Sequence, residues 1–182
     1  DSISAEGTGS TRIRGGNGGE EFEDDCPPGH VVHGIEGQSG RGDRRWIYRI
    51  RTLCALVEIG LDDVVSTTAG PRVPEEGFRG GAAGAPWRST CDPNQGVVGF
   101  RGHSGSHVDA LAIACSPLNV EEDRVIPDRD GLVWMPRVGT PGGNAFGNTL
   151  CPDGEGATGS FVRAEGFLNA YGLRCSRLMI AP

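Results

Sequence analysis

Apolar residues along this chain come in short runs separated by glycines and polar residues. Residues 31–35, 47–53, 96–101 and 108–114 read as strands, each too short for a buried helix and bounded by turn-forming residues. In the last of these, Leu111 and Ile113 share a face with Asp109, while Val108, Ala110 and Ala112 make a smaller face. That pattern suits a sheet packed against a tight neighbour. Stretches 55–79 and 116–138 each combine an acidic run (Leu61-Asp62-Asp63; Glu121-Glu122-Asp123), prolines and a short apolar run (56–59; 132–135). They are expected to supply the remaining strands and outer turns. Residues 1–11 are small and polar and are expected to form a flexible arm, with 12–182 a single domain. The longest apolar run, 110–115, is far short of the roughly 18–20 residues of a membrane span.

The six cysteines are Cys26, Cys54, Cys91, Cys115, Cys151 and Cys175, and none belongs to a C-x-x-C pair. An even count without close pairs favours three disulfides over a zinc ribbon or redox centre, and hence a secreted or otherwise extracytoplasmic protein. The first ten residues, DSISAEGTGS, contain no charged-then-apolar leader, as expected of a mature chain whose export signal has been removed.

Their spacing carries more information than their number. Cys26, Cys91 and Cys151 are separated by 65 and 60 residues, and Cys54, Cys115 and Cys175 by 61 and 60. Glycine stands eight residues after the first cysteine of each unit (Gly34, Gly99, Gly159). An apolar residue stands seven before the second (Ile47, Val108, Leu168). The chain is therefore a threefold repeat of about sixty residues, with units at about 12–55, 78–116 and 139–178. The simplest pairing lies within units, Cys26–Cys54, Cys91–Cys115 and Cys151–Cys175, although threefold symmetry permits a swapped pairing equally well. Three units with room for about four strands each describe a closed all-β assembly, which covers sheet edges that would otherwise aggregate.

Composition agrees. With 31 glycines in 182 residues, long helices are disfavoured, since each interior glycine costs about 1 kcal/mol relative to alanine. Lysine is absent, and all seventeen basic residues are arginine. The net charge of −7 argues against a nucleic-acid partner, which needs a basic face to displace phosphate counterions.

The second unit holds the best local motif. The run Val97-Val98-Gly99-Phe100-Arg101-Gly102-His103-Ser104-Gly105, followed by Val108-Asp109-Ala110-Leu111, resembles the signature of jacalin-related lectins. The opening Gly15-Gly16-Asn17-Gly18-Gly19 with Phe22 resembles the glycine-rich start of the same family, and the three-unit layout is similar to vitelline-membrane outer-layer proteins. The resemblance implies a β-prism: three four-stranded Greek-key sheets about a pseudo-threefold axis. It also implies non-covalent glycan binding at a G-x-x-x-D loop, which Gly105, Ser106, His107, Val108 and Asp109 fit. A carboxylate there can accept hydrogen bonds from two neighbouring sugar hydroxyls, and charge-assisted bonds are about twice as strong as neutral ones. His107 is expected against the apolar face of the sugar. Gly142 and Gly143, with Asn144, are the expected second wall, with Gly15-Gly16-Asn17 the other option. At the aspartate position the first unit has Tyr48 and the third Asn169, so at most one loop keeps the full pattern.

Other motifs have simpler explanations. Arg41-Gly42-Asp43 arises readily in this composition, and Arg41, Arg44, Arg45, Arg49 and Arg51 with Trp46 and Tyr48 suit a charged edge strand better than the alternative, a site for an anionic glycan or phosphate held by arginine's planar fork. His103/His107 and His30/His33 fall in strands and turns rather than on a metal-binding helix face, and Asp128-Arg129-Asp130-Gly131 reads as a polar turn. No nucleophile elbow, zinc-protease helix or phosphate loop is present, so neither catalysis nor a cofactor is expected. The competing class is a disulfide-stapled coat or assembly protein without sugar binding, and a homo-oligomer suits either class.

Overall fold

The structure is a computed structural model describing residues 1–40 and 46–181. Three short strands open the chain: β1 (Ser2–Ser10), β2 (Arg14–Gly15) and β3 (Glu20–Asp25). A long hairpin follows, β4 (His30–Ser39) and β5 (Ile47–Ile59), then β6 (Val65–Val73), β7 (Arg79–Gly80) and β8 (Ala85–Thr90). The second hairpin is β9 (Gln95–Ser104) and β10 (Val108–Glu121), followed by β11 (Arg124–Pro127), β12 (Val133–Trp134), β13 (Val138–Gly139) and β14 (Asn144–Leu150). The third is β15 (Glu155–Ala164) and β16 (Leu168–Ala181). The described residues contain no α-helix; one 3-10 turn, Arg129–Gly131, is capped by the Asp128 carboxylate accepting from the Asp130 amide at 3.0 Å. Among the described residues no helix is long and apolar enough to cross a membrane.

Pairing is antiparallel throughout and divides the strands into three sheets of one plan. The first runs β8-β4-β5, its fourth position shared by β6 and β7. The second runs β14-β9-β10, then β11, β12 and β13. The third runs β3-β15-β16, then β1 and β2. In the first two, the last strand returns to lie beside the first, which is the Greek-key order. The third reaches the same order by joining the two ends of the chain. The expected β-prism is the observed fold.

Two expectations change. Residues 2–10, read as a flexible arm, form β1 and pair with β16 from Ser2↔Ala181 to Ser10↔Arg174. Among the residues of this small, polar strand whose burial is described, Ile3 alone is buried, so its place comes from backbone pairing that no apolar pattern advertises. The sixty-residue unit is also not the sheet, because the glycine-rich front of each unit pairs with the hairpin of the preceding one.

This offset gives the disulfides their role. The observed bonds are Cys26–Cys54, Cys91–Cys115 and Cys151–Cys175, each within one sequence unit. Cys26 follows β3 of the third sheet and Cys54 lies in β5 of the first; the other two bonds link first to second and second to third. All three seams of the prism are closed covalently. Opposite each second cysteine the hairpin register slips by one residue, at Val32/Gly34, Ala114/Cys115 and Ala157/Gly159. The repeated glycines sit at these bulges because the outer strand passes too close for a side chain: a Cβ at Gly34 would stand 2.9 Å from Thr90 Cα, and one at Gly159 2.9 Å from Asp24 O.

The interior is filled from all three sheets. Ile35, Ile50, Phe100, Leu111, Ile113, Tyr171 and Leu173 are fully buried, and Phe100 meets Tyr171 edge-on at 5.2 Å. Burial pushes the Tyr171 phenol well above its ordinary pKa. A smaller cluster of Ile3, Val31, Val57, Val65, Leu118, Val125 and Leu178 closes one end. There the sheets also join through Ser2↔Glu58 and Val125↔Leu178. One charged pair ties the first and third sheets: Arg79 of β7 donates to both oxygens of buried Asp24 in β3, at 2.7 and 3.0 Å, while lying 4.0 Å over the Phe22 ring. Asp24→Ala is expected to cost about 2 kcal/mol, the value of a hydrogen-bonded charge, read from urea unfolding.

Candidate functional site

The end opposite the small cluster carries the turns of the second and third hairpins and, from the first, the flanking Gly40 and Trp46, where the Gly40 amide donates to Trp46 O at 3.0 Å. In each hairpin the register slips again just beyond the turn, between Gln38 and Ser39, Val108 and Ala110, and Arg163 and Ala164. The extra residues are Tyr48, Asp109 and Asn169. A bulge re-aims its side chain out of the ladder, so all three equivalents of the expected sugar-binding aspartate occupy the same re-aimed position. Against each lies a glycine-rich segment that begins at the last residue of a two-residue strand: Gly80 onward at Tyr48, Gly139 onward at Asp109 and Gly15 onward at Asn169.

At Asp109 this segment folds over the carboxylate. The Thr140 amide donates to Asp109 O at 3.2 Å. A Cβ at Gly142 would stand 2.8 Å from Asp109 Oδ1, and one at Gly143 would stand 2.6 Å from Ser104 O and 3.0 Å from Asp109 Oδ2. Gly143 also adopts φ +56°, where other residues are strained. The structure thus brings Asp109, Gly142 and Gly143 together beside Ser104. Gly105 and Ser106 form the exposed tip of the turn, closed by the Gly105 amide donating to His107 O at 2.9 Å. Val108 is fully buried and anchors the turn to the core. The other expected wall, Gly15-Gly16-Asn17, lies against Asn169, and Gly16 also packs on the Ser106 carbonyl.

Burial holds the Asp109 carboxyl above the usual carboxylate range, an effect His107 and His103 partly offset. His107 Nε2 lies 3.7 Å from Asp109 Oδ1, and its Nδ1 is 3.2 Å from the Ser106 hydroxyl.

The His107 ring has a second set of neighbours, which the sequence reading missed. It packs edge-on against Trp46 at 4.2 Å and against Phe167 at 5.5 Å, and Trp46 lies 5.8 Å from Phe167. Each residue stands eight positions before the second cysteine of its unit. The three equivalent positions converge between the sheets and cap the core. The signal was one residue from the recognised Ile47, Val108 and Leu168, but three chemically different side chains concealed it.

The other two loops differ. At the third, Asn169 Nδ2 donates to Glu165 Oε1 at 3.0 Å, so the turn's own carboxylate occupies the amide. At the first, Tyr48 replaces the carboxylate, and Arg41-Gly42-Asp43 with Arg44 and Arg45 lies outside the described residues. Arg49 and Arg51 flank the Phe78 ring at 3.9 and 4.2 Å, and Arg51 pairs with Glu36 at 2.6 Å.

The class of fold this architecture defines is the β-prism of jacalin-related lectins. No family model matches the chain, and no curated protein matches it in sequence. Solved structures do match. Frutapin, a lectin from Artocarpus incisa, is 15% identical over 94% of this chain and 99% of its own, with a TM-score of 0.61. A mannose-binding jacalin-related lectin from Ananas comosus is 17% identical, over 93% of this chain and 98% of its own, at 0.56. Calsepa lectin, solved with a biantennary N-glycan, is 12% identical, over 96% and 99%, at 0.60. Likeness at these identities establishes the shared fold.

Proposed function

We propose that this protein is an extracellular carbohydrate-binding protein that holds a glycan non-covalently at Asp109, without catalysis. One arrangement carries the reading: a carboxylate re-aimed by a bulge, with Gly142 and Gly143 folded against it and the Gly105–Ser106 tip beside it. Sugar hydroxyls donate to the carboxylate, which the absence of side chains at Gly142 and Gly143 lets pack directly against their backbone. Solved proteins of the same fold include mannose-binding lectins, which supports a sugar ligand. Three disulfides support an oxidising, extracellular setting.

A glycan array probed with the oxidised protein tests the reading. Binding to a defined set of glycans is expected. Gly142→Ala, which pushes a methyl group into the carboxylate, should weaken it by about tenfold, the value of one compromised charged hydrogen bond. An empty array with self-association in solution would instead identify a coat or assembly component.

A further inference from the structure

The outer faces of the three sheets are not alike. Three ladder pairs occupy equivalent positions: Glu36↔Arg51 on the first, Arg101↔Ala112 on the second and Phe161↔Gly172 on the third. On the first sheet the pair is a salt bridge, with Arg72 and Arg88 also near Glu36. On the third, Arg163 pairs with Glu21, and Arg174 with Glu23 and Asp25. On the second, small Ala112 leaves a hollow of about 380 Å³ lined by Arg101, His103, Trp134, Met135, Arg137 and Phe146 among others. No lining residue is acidic. Among the described residues neither Arg101 nor Arg137 has a carboxylate partner, although the chain carries a net charge of −7.

Arg101 lies 4.2 Å over the Trp134 ring, which holds the guanidinium plane in place. Its N–H groups have no protein acceptor among the described residues, so an exposed fork suited to an oxyanion is free to meet one. The hollow adjoins the candidate loop. His103 lines it and pairs with Ala145, while the next residues, Ser104 and Asn144, pair beside Asp109. A glycan seated at Asp109 can continue past His103 into the hollow.

We propose that this hollow is a subsite for an acidic sugar, one bearing a carboxylate or sulfate, which Arg101 and Arg137 bind while Phe146 and Met135 contact its apolar face. The inference rests on the carbohydrate-binding reading of the Asp109 loop. The test is an array carrying neutral oligosaccharides beside their uronate-containing and sulfated counterparts, with polyglutamate as a non-sugar competitor. The acidic member of a pair should bind more tightly, and the uronate and sulfate arms show which oxyanion is preferred. Arg101→Gln with Arg137→Gln should erase that preference, about a tenfold loss or more, and leave neutral glycans unaffected. Equal binding of both members, preference retained in the double variant, or full competition by polyglutamate would overturn the proposal. Acidic binding that survives Asp109→Ala but not the double arginine variant would uphold the subsite and remove the loop. No binding to any glycan would remove both.

Discussion

Reducing the three disulfides is expected to unfold the protein. The bonds close loops with sequence separations of 28, 24 and 24, and restricting the unfolded chain over such loops is worth roughly 3 kcal/mol each. Together they supply about 9 kcal/mol, against a total stability of about 5–15 kcal/mol for an ordinary domain. Their placement sharpens the expectation. Each spans a different seam, so no bond substitutes for another, and their losses should approach additivity. Replacing one pair, Cys91→Ala with Cys115→Ala, should lower Tm by about 6–12 °C. Scanning calorimetry of the wild type, with and without reductant, checks the larger effect. A reduced protein melting within a few degrees of the oxidised one would mean that core packing alone holds the prism.

The same bonds show what the sequence could and could not reveal. Cysteine and glycine recur in register because a disulfide and a close-packed bulge each demand one residue type at one position, so the threefold unit was legible. Partner choice was not. Residues 85–90 and 20–25 pair with hairpins of the preceding unit in the cyclic order, and apolar spacing says which face of a strand is buried, not which strand lies beside it. Strand β1 escaped notice because its pairing to β16 uses backbone groups that every sequence possesses. That Gly142–Gly143 would lie against Asp109 was an expectation of the resemblance, and the two do meet, yet the bulge that re-aims Asp109 has no local signature. Trp46, His107 and Phe167 share a place without sharing a chemistry, so the convergence that caps the core emerged only in three dimensions.

Asp109→Ala is expected to abolish glycan binding, and Asp109→Asn separates charge from shape. If the carboxylate accepts two sugar hydroxyls, alanine removes both charge-assisted bonds, a loss of about a hundredfold or more. Asparagine keeps the volume against Gly142 and Gly143 but loses the charge, so its binding should weaken by about tenfold and become independent of acid pH. Wild-type binding should instead fall on acidification at a higher pH than an ordinary carboxylate would give, because burial raises the Asp109 pKa. The stability effect has the opposite sense. The folded protein holds this proton to higher pH than the unfolded chain does. The group therefore favours folding most below the ordinary carboxyl pKa, and that advantage declines as pH rises through the raised value. At neutral pH the asparagine variant, relieved of a desolvated charge, should be at least as stable as wild type, and the difference should vanish in acid. Titrating binding and Tm together across the acid range reads both effects. Binding by the alanine variant, or an asparagine variant that keeps the wild-type pH profile, would mean that Asp109 shapes the turn without touching the ligand.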